Sequence, residues 1–199
     1  MGKSRDRVGT TGQYIGGPAG VDTPEKLQAM QDRYIQDVEL GQAGADWYRD
    51  ASNFINQASL PENRQGVADT IGITSQGTNV DSNLGFAIKG INQRAAGLPV
   101  NTGRFPGNQS RLIEEALSGE RSRLGPKRQP FADNLSVGWN PDQANTSVND
   151  IWQGRAFGYT HPDGKPWDAG FSPQQHAFMD ENMLVIEDRL NNMQMAGRT

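Results

Sequence analysis

The chain has 199 residues, an apolar fraction of 34% and a formal net charge of −4, with no cysteine and only 2 histidines. The length fits a single domain, and the lack of cysteine excludes disulfides, thiolate nucleophiles and the common zinc sites. No apolar run approaches the roughly 18 residues of a membrane span, and the basic start lacks the apolar stretch of a signal peptide. We therefore expect a soluble protein with no cofactor and no bound metal.

The first 21 residues are predicted to form a flexible, glycine-rich arm. The stretch 8–20 (VGTTGQYIGGPAG) contains few apolar groups. Ordering such a segment costs conformational entropy and gains little burial. A helical domain is expected to follow over residues 22–199, with a first half at 22–97 and a second half at 108–199.

Four helices are predicted in the first half, because apolar residues recur there at helical spacing. Asp22-Thr23-Pro24 is a cap and first-turn signal for the first helix, which ends near Gly41. The other three are expected at about 46–58, 61–72 and 80–97. The residues of the fourth helix that are expected to face the core are Leu84, Ala87, Ile88 and Ile91.

The second half follows a loop rich in glycine and proline. Its predicted helices span about 108–119, 126–135, 148–157 and 172–195, the last one starting at the cap signal Ser172-Pro173. No window shows strict alternation of apolar and polar residues, which argues against a sheet of any size. The predicted fold class is therefore all-α, a single multi-helix domain.

Charge is unevenly distributed along the chain. Residues 101–130 carry a net charge of +3, whereas the residues after Phe131 are net acidic. A local basic patch on an acidic body is compatible with contact to DNA or to an acidic protein partner.

The segment 124–135 (LGPKRQPFADNL) is predicted to be a tight turn that enters a helix. Gly125 lets the backbone approach a phosphate closely. Lys127 and Arg128 add positive charge where a helix start presents free N–H groups. Further along the chain, Asp150 places a carboxylate at the predicted start of another helix.

At these residues the chain resembles the helix-hairpin-helix DNA glycosylase superfamily. That family has a Gly-x-Gly hairpin followed by a basic residue, and later a helix start bearing an aspartate with an arginine five residues on. Gly125 matches the second hairpin glycine, and Lys127 matches the lysine of glycosylases that also cleave the strand. Asp150 matches the catalytic aspartate and Arg155 the arginine. Over about residues 45–190 the chain is similar, more loosely, to phage-encoded proteins with this helical core.

Three residues depart from the family pattern. Arg123 stands where the first hairpin glycine belongs, and Pro130 removes an N–H from the second helix of the hairpin. Trp152 replaces the histidine that follows the aspartate.

The resemblance implies specific roles for six residues. DNA would be contacted by Gly125, Lys127, Arg128, Arg123 and Arg155. If the chain is an enzyme, it would be a DNA glycosylase or abasic-site lyase in which Lys127 attacks the sugar C1′ and Asp150 stabilises the positive sugar or deprotonates the nucleophile. The alternative is structural: Lys127 is a solvated surface lysine and Asp150 a helix N-cap.

Two kinds of function follow. The first is a phage-type DNA-binding protein on a glycosylase-like helical scaffold. The second is a non-enzymatic virion or assembly protein that acts through the N-terminal arm and a Met-rich last helix; its methionines are Met179, Met183, Met193 and Met195. Either would work in the cytoplasm of the host cell or in the virion.

The remaining polar and aromatic residues are expected to have structural roles. His161, Asp163, Asp168 and His176 could be drawn together as a metal site, but the Pro-Asp-Gly turn accounts for Asp163 without one. At helical spacing most of the aromatic residues are predicted to be in the core. Trp139 and Trp167, which lie in predicted loops, are the two expected elsewhere.

Overall fold

The computed structural model describes residues 9, 13–41, 46–120, 124–143 and 147–196. In these ranges the chain forms eight helices, which are α1 (Pro24–Leu40), α2 (Trp47–Ala58), α3 (Arg64–Thr74), α4 (Val80–Ala95), α5 (Asn108–Leu117), α6 (Arg128–Asn134), α7 (Ile151–Phe157) and α8 (Pro173–Ala196). Two short 3-10 turns, Pro61–Asn63 and Pro141–Gln143, accompany them. Within the described ranges strand-like pairing is limited to isolated bridge positions, one pair of which is formed by Thr160 and Pro166. The predicted all-α class is confirmed.

The starts of α1 and α8 follow the cap signals in the sequence, whereas α4 is capped by Asn79 and α5 begins after Gly107 without a side-chain cap. The Thr23 hydroxyl accepts a hydrogen bond from the Lys26 N–H at the start of α1 (3.3 Å). At the start of α8, the Gln175 N–H donates to the Ser172 hydroxyl (3.3 Å) and the Ser172 N–H donates to the Gln175 side-chain oxygen (2.8 Å). This reciprocal pair is a capping box, which satisfies N–H groups that have no partner inside the helix.

Contacts between backbone segments divide the chain into two compact units. One unit consists of residues 46–148, and the other combines residues 1–45 with 149–199. The first and last parts of the chain therefore belong together, and the middle forms its own unit.

The unit 46–148 is built around α3, which is buried on almost all sides. Its polar residues are satisfied locally, since the hydroxyls of Thr70 and Thr74 donate to the carbonyls of Gly66 (2.7 Å) and Thr70 (3.0 Å). The Thr74 hydroxyl also lies 2.6 Å from the Asn83 side-chain oxygen on α4. A helix with small and hydroxyl-bearing residues on several faces can thus pack against several neighbours at once.

Two glycines of α3 allow close helix packing. A Cβ at Gly66 would lie 2.7 Å from the Ala116 carbonyl oxygen of α5, and a Cβ at Gly72 would lie 3.0 Å from the Ala132 Cβ of α6. Both distances are shorter than ordinary van der Waals contact. Because glycine has no side chain at these two positions, α5 and α6 can approach α3 closely.

The packing of α4 differs from the sequence-based expectation. Asn83, Ala87 and Gly90 are buried, whereas Leu84 and Ile88 are exposed (39% and 56%). The prediction that Leu84 and Ile88 face the core was wrong, because α4 packs through its small residues and turns the larger ones outward.

The other unit packs α1 against α7 and α8. Its core contains Phe157, Phe178, Met179 and Ile186, all fully buried. A buried polar contact also joins α1 to α8, since the Gln31 side-chain amide donates to Asn182 Oδ1 (2.8 Å). A buried amide pair of this kind must stay hydrogen-bonded, because an unpaired partner would cost the full desolvation penalty.

Residues 13–21 also belong to this core, although the sequence assigned them to a flexible arm. Tyr14 is buried, Pro18 is fully buried, and the Tyr159 hydroxyl donates to the Gly16 carbonyl. A Cβ at Gly17 would lie 3.1 Å from the Phe178 ring. The two glycines let this segment lie directly on α8, which supplies the burial that the segment alone lacks. Residues 1–8 and 10–12 of the predicted arm lie outside the described residues.

Part of the Met-rich stripe of α8 belongs to the core. Met179 is fully buried and Met183 packs against the same cluster, whereas Leu184 and Met193 are exposed. The side chain of Met195 lies outside the described residues. Among the helices that the structure describes, none combines the length and apolar character needed to cross a bilayer.

Candidate nucleic-acid interface

The turn before α6 depends on a glycine. Gly125 has a φ of 89°, a left-handed conformation that costs glycine little and other residues more. Leu124, immediately before it, is almost fully buried and anchors the turn to the core of its unit. The backbone at Gly125 is thus brought to the surface in a fixed conformation.

Hydrogen bonds close this turn onto the start of α6. The Gln129 N–H donates to the Gly125 carbonyl (3.0 Å), and Arg128 Nε donates to the Leu124 carbonyl (2.9 Å). Burial lowers the pKa of the Arg128 guanidinium from its usual value. Arg128 therefore supports the turn as well as supplying charge.

Lys127 lies directly before α6 and is half-buried. One turn later on the same helix, the Phe131 ring contacts Trp47, with ring centroids 6.0 Å apart, and Tyr48, at 5.9 Å. This aromatic cluster and the close approach of Ala132 to Gly72 hold α6 in place. Lys127 thus directly precedes a helix that packs against neighbours on two sides.

Pro130 does not disrupt the start of α6, although it lacks an N–H. It is the third residue of α6, where backbone N–H groups have no carbonyl partner inside the helix. A proline in the first turn therefore removes no helical hydrogen bond. Arg123, the other departure in the hairpin, lies outside the described residues.

Asp150 is the N-cap of α7. Its Oδ1 accepts hydrogen bonds from the N–H groups of Trp152 (2.9 Å) and Gln153 (3.0 Å). The preceding residue, Asn149, is buried and donates to Asp180 on α8 (2.6 Å). The N-cap alternative considered from sequence is therefore observed for Asp150, while its catalytic role stays a prediction.

Arg155 joins two tryptophans. Its Nε donates to the Trp167 carbonyl (2.7 Å), and its guanidinium carbon lies 4.8 Å from the centroid of the Trp152 ring. An arginine over an aromatic face is attracted by the ring quadrupole. Arg155 therefore has a structural contact and a charge at the surface of α7.

Trp152 is 68% exposed, contrary to the expectation that aromatics at helical spacing lie in the core. The helix α7 buries Gly154 and Phe157. Trp152 precedes Gly154 by two residues, about 200° around the helix, and so lies on the opposite face. A seven-residue helix that is buried along one face leaves such a residue outside, and this spacing was a signal available in the sequence.

The candidate residues are divided between the two units. Gly125, Lys127 and Arg128 belong to the unit 46–148, whereas Asp150 and Arg155 belong to the unit that combines residues 1–45 and 149–199. The DNA-binding roles assigned to these residues stay predictions.

Three of the four residues considered as a metal site form pairs that need no metal ion. His161 Nε2 lies 2.7 Å from Asp168 Oδ1, and Asp163 pairs with Lys165 at 2.7 Å in the turn. Within the described ranges no group of three or more histidine and carboxylate side chains could hold a metal ion.

Comparison with known proteins found no matching family model, no matching curated protein and no matching solved structure. What defines the class of this protein is therefore its fold: it is an all-α protein of two compact helical units.

Proposed function

We propose that this is a phage-type DNA-binding protein that contacts the phosphate backbone through the turn 124–128, on a helical scaffold like that of the helix-hairpin-helix DNA glycosylases. The observation that carries the proposal is the fixed Gly125 turn, which presents Lys127 and Arg128 together at the start of α6.

Electrostatics supports contact with phosphates. The segment 101–130, which includes this turn, has a net charge of +3 in a chain whose total is −4. Phosphate contacts by lysine and arginine release counterions and dominate nonspecific affinity for DNA. Binding is therefore expected to be local, salt-sensitive and largely independent of sequence.

The proposed function is binding without base excision. Capping of α7 accounts for Asp150, and support of the turn accounts for part of the role of Arg128. The helix cap thus gives Asp150 a role that needs no chemical step. The scaffold is then proposed to have kept its DNA contact and lost its reaction.

A charge reversal at Lys127 tests the proposal. The binding of a fluorescently labelled duplex should be measured by anisotropy from low to moderate salt, for the wild type and for Lys127→Glu. We expect wild-type affinity to fall steeply with salt, and Lys127→Glu to weaken binding and to reduce the slope of log affinity against log salt by about 1. The matched control is Lys165→Glu, an exposed lysine in a loop of the other unit, which should change neither quantity. No binding at low salt, or equal binding by wild type and Lys127→Glu, would refute the proposal.

A second candidate function is that of a virion or assembly protein, favoured by one specific observation. The exposed residues Val80, Leu84 and Ile88 recur every four residues and form an apolar stripe along α4. Contiguous exposed apolar surface is typical of protein–protein contact sites. The apolar side chains of Leu184 and Met193 on α8 are also exposed.

Sedimentation velocity tests this second function. Self-association through the stripe should be abolished by Ile88→Glu and kept by Leu98→Glu, since Leu98 is equally exposed but lies in the loop after α4. A monomer at all concentrations would exclude self-assembly through α4.

A further inference from the structure

The exposed tryptophan of α7 is contacted by an arginine on one side. The Arg155 guanidinium covers one face of the Trp152 ring at 4.8 Å, while the side chain as a whole remains 68% exposed. A surface tryptophan would ordinarily exchange between rotamers. The cation–π contact instead favours one orientation and leaves the opposite ring face open.

Arg155 is in turn hydrogen-bonded to a residue of an aromatic stack. Arg155 Nε donates to the carbonyl of Trp167, whose ring is stacked between His161 (centroids 5.0 Å apart) and Phe171 (5.7 Å), both at 15°. Phe171 in turn lies so close to α7 that a Cβ at Gly154 would be 2.1 Å from its ring. The aromatic stack therefore positions the Trp167 carbonyl, which accepts the hydrogen bond from Arg155, and Arg155 in turn contacts the Trp152 ring.

Positive charge accompanies the open ring face. Arg155 uses Nε for the Trp167 carbonyl, so its terminal amino groups remain available for an anion. Arg33, from α1, is exposed and donates through Nη2 to the Ala156 carbonyl (2.8 Å). Ala156 lies one turn after Trp152, about 6 Å along the helix axis. The carboxylate of Asp150, which directly precedes α7, accepts two backbone hydrogen bonds as the helix cap.

We propose that Trp152 is a stacking platform for an unpaired nucleobase of a single-stranded nucleic acid, with the guanidinium groups of Arg155 and Arg33 binding the flanking phosphates. An aromatic face beside cationic groups is the arrangement by which proteins bind single strands without reading sequence, because every base has a π-face. The proposal rests on the DNA-binding function and extends it, since it names the form of nucleic acid and a second contact in the other unit.

The stacking proposal is tested by measuring the binding of two single-stranded oligonucleotides of equal length and charge. One is an oligothymidylate, and the other consists of abasic sites, which keep the phosphates and lack the bases. We expect the wild type to bind the oligothymidylate about tenfold more tightly, which is the gain of one stacked base. Trp152→Ala should remove this preference while keeping affinity for the abasic strand, and Trp152→Tyr should restore most of it.

Phe54→Ala is the matched control, because Phe54 is a similarly exposed aromatic residue (70%) on a helix of the other unit. It should keep the full preference for the oligothymidylate. Equal wild-type binding of both strands, or a preference that survives in Trp152→Ala, would overturn the stacking proposal and leave the phosphate-binding function intact. If neither strand nor a duplex binds at low salt, both proposals fail.

Discussion

The carboxylate of Asp150 accepts a hydrogen bond from the backbone N–H of Trp152 at 2.9 Å, and a second one from the next residue. The residue that sequence resemblance assigned to catalysis thus has a structural task in the helix that presents the exposed tryptophan.

Removing this cap should destabilise the protein. We expect Asp150→Ala to lower the free energy of unfolding by about 1 kcal/mol, since it leaves two N–H groups at the start of α7 without their partner. Asp150→Asn should cost less, because asparagine is also a good N-cap. Urea denaturation followed by circular dichroism measures both variants. Equal stability of Asp150→Ala and the wild type would show that the cap contributes nothing.

Two glycines in helices should respond oppositely to alanine. A Cβ at Gly66 would lie 2.7 Å from the Ala116 carbonyl oxygen, so Gly66→Ala should destabilise the protein by about 1–3 kcal/mol through overpacking. A Cβ at Gly85 on α4 would meet nothing within 4 Å, so Gly85→Ala should stabilise it by about 0.5–1 kcal/mol. Thermal and urea unfolding of the two variants give the comparison. Similar effects at the two sites would contradict the close packing of α3 against α5.

His176 should make stability depend on pH. Burial lowers the pKa of His176, and the charge of Asp180 opposes this shift only in part; in the described structure His176 Nδ1 is buried without a hydrogen-bond partner. Because the folded pKa lies below the unfolded value of about 6.5, the unfolded state takes up the proton first. Stability should therefore be fully present above about pH 6.5 and decrease as the pH falls below it. The urea midpoint measured at pH 8 and pH 5.5 should fall less in His176→Gln than in the wild type. An identical fall in both would show that His176 is not responsible.

The proposed lack of catalysis is tested by borohydride trapping on abasic DNA. A lyase that uses Lys127 would form an imine with the opened sugar, which borohydride reduces to a stable adduct. We expect no adduct from this protein under conditions in which a lyase used as positive control is trapped. An adduct that disappears in Lys127→Ala would show that the protein is a lyase, and only the non-catalytic part of the proposal would then be wrong.

Helix positions were largely predictable, because their signals are local. Ser172 caps the helix that it was expected to cap, and Thr23 is the cap of α1 out of the two candidates Asp22 and Thr23. The positive φ of Gly125 matches a glycine singled out for a tight turn. Such features depend on hydrogen bonds and backbone preferences within a few residues. The sequence also pointed to both possible roles of Asp150, and the structure shows the cap.

The faces of the helices were harder to predict. Leu84, Ile88 and Trp152 were expected in the core and are exposed, while Tyr14 was placed in a flexible arm and is buried. Periodicity shows that a helix has an apolar face, but it does not show which neighbour covers that face. At α4 the small residues Ala87 and Gly90 form the contact, and sequence patterns that reward large apolar groups miss this.

By itself, then, the sequence determined the all-α class, the approximate helix boundaries and the basic turn at Gly125, because local backbone energetics and composition decide these. Only the tertiary structure decided that α1 packs with α7 and α8, that α3 lies at the centre of its unit, and that Trp152 faces outward over Arg155. These arrangements depend on shape complementarity between segments distant in the chain. Nothing in the local sequence shows that Gly66 and Gly154 must be glycines. The reason is seen only in the folded protein, where a neighbouring helix or ring occupies the space that a Cβ would need.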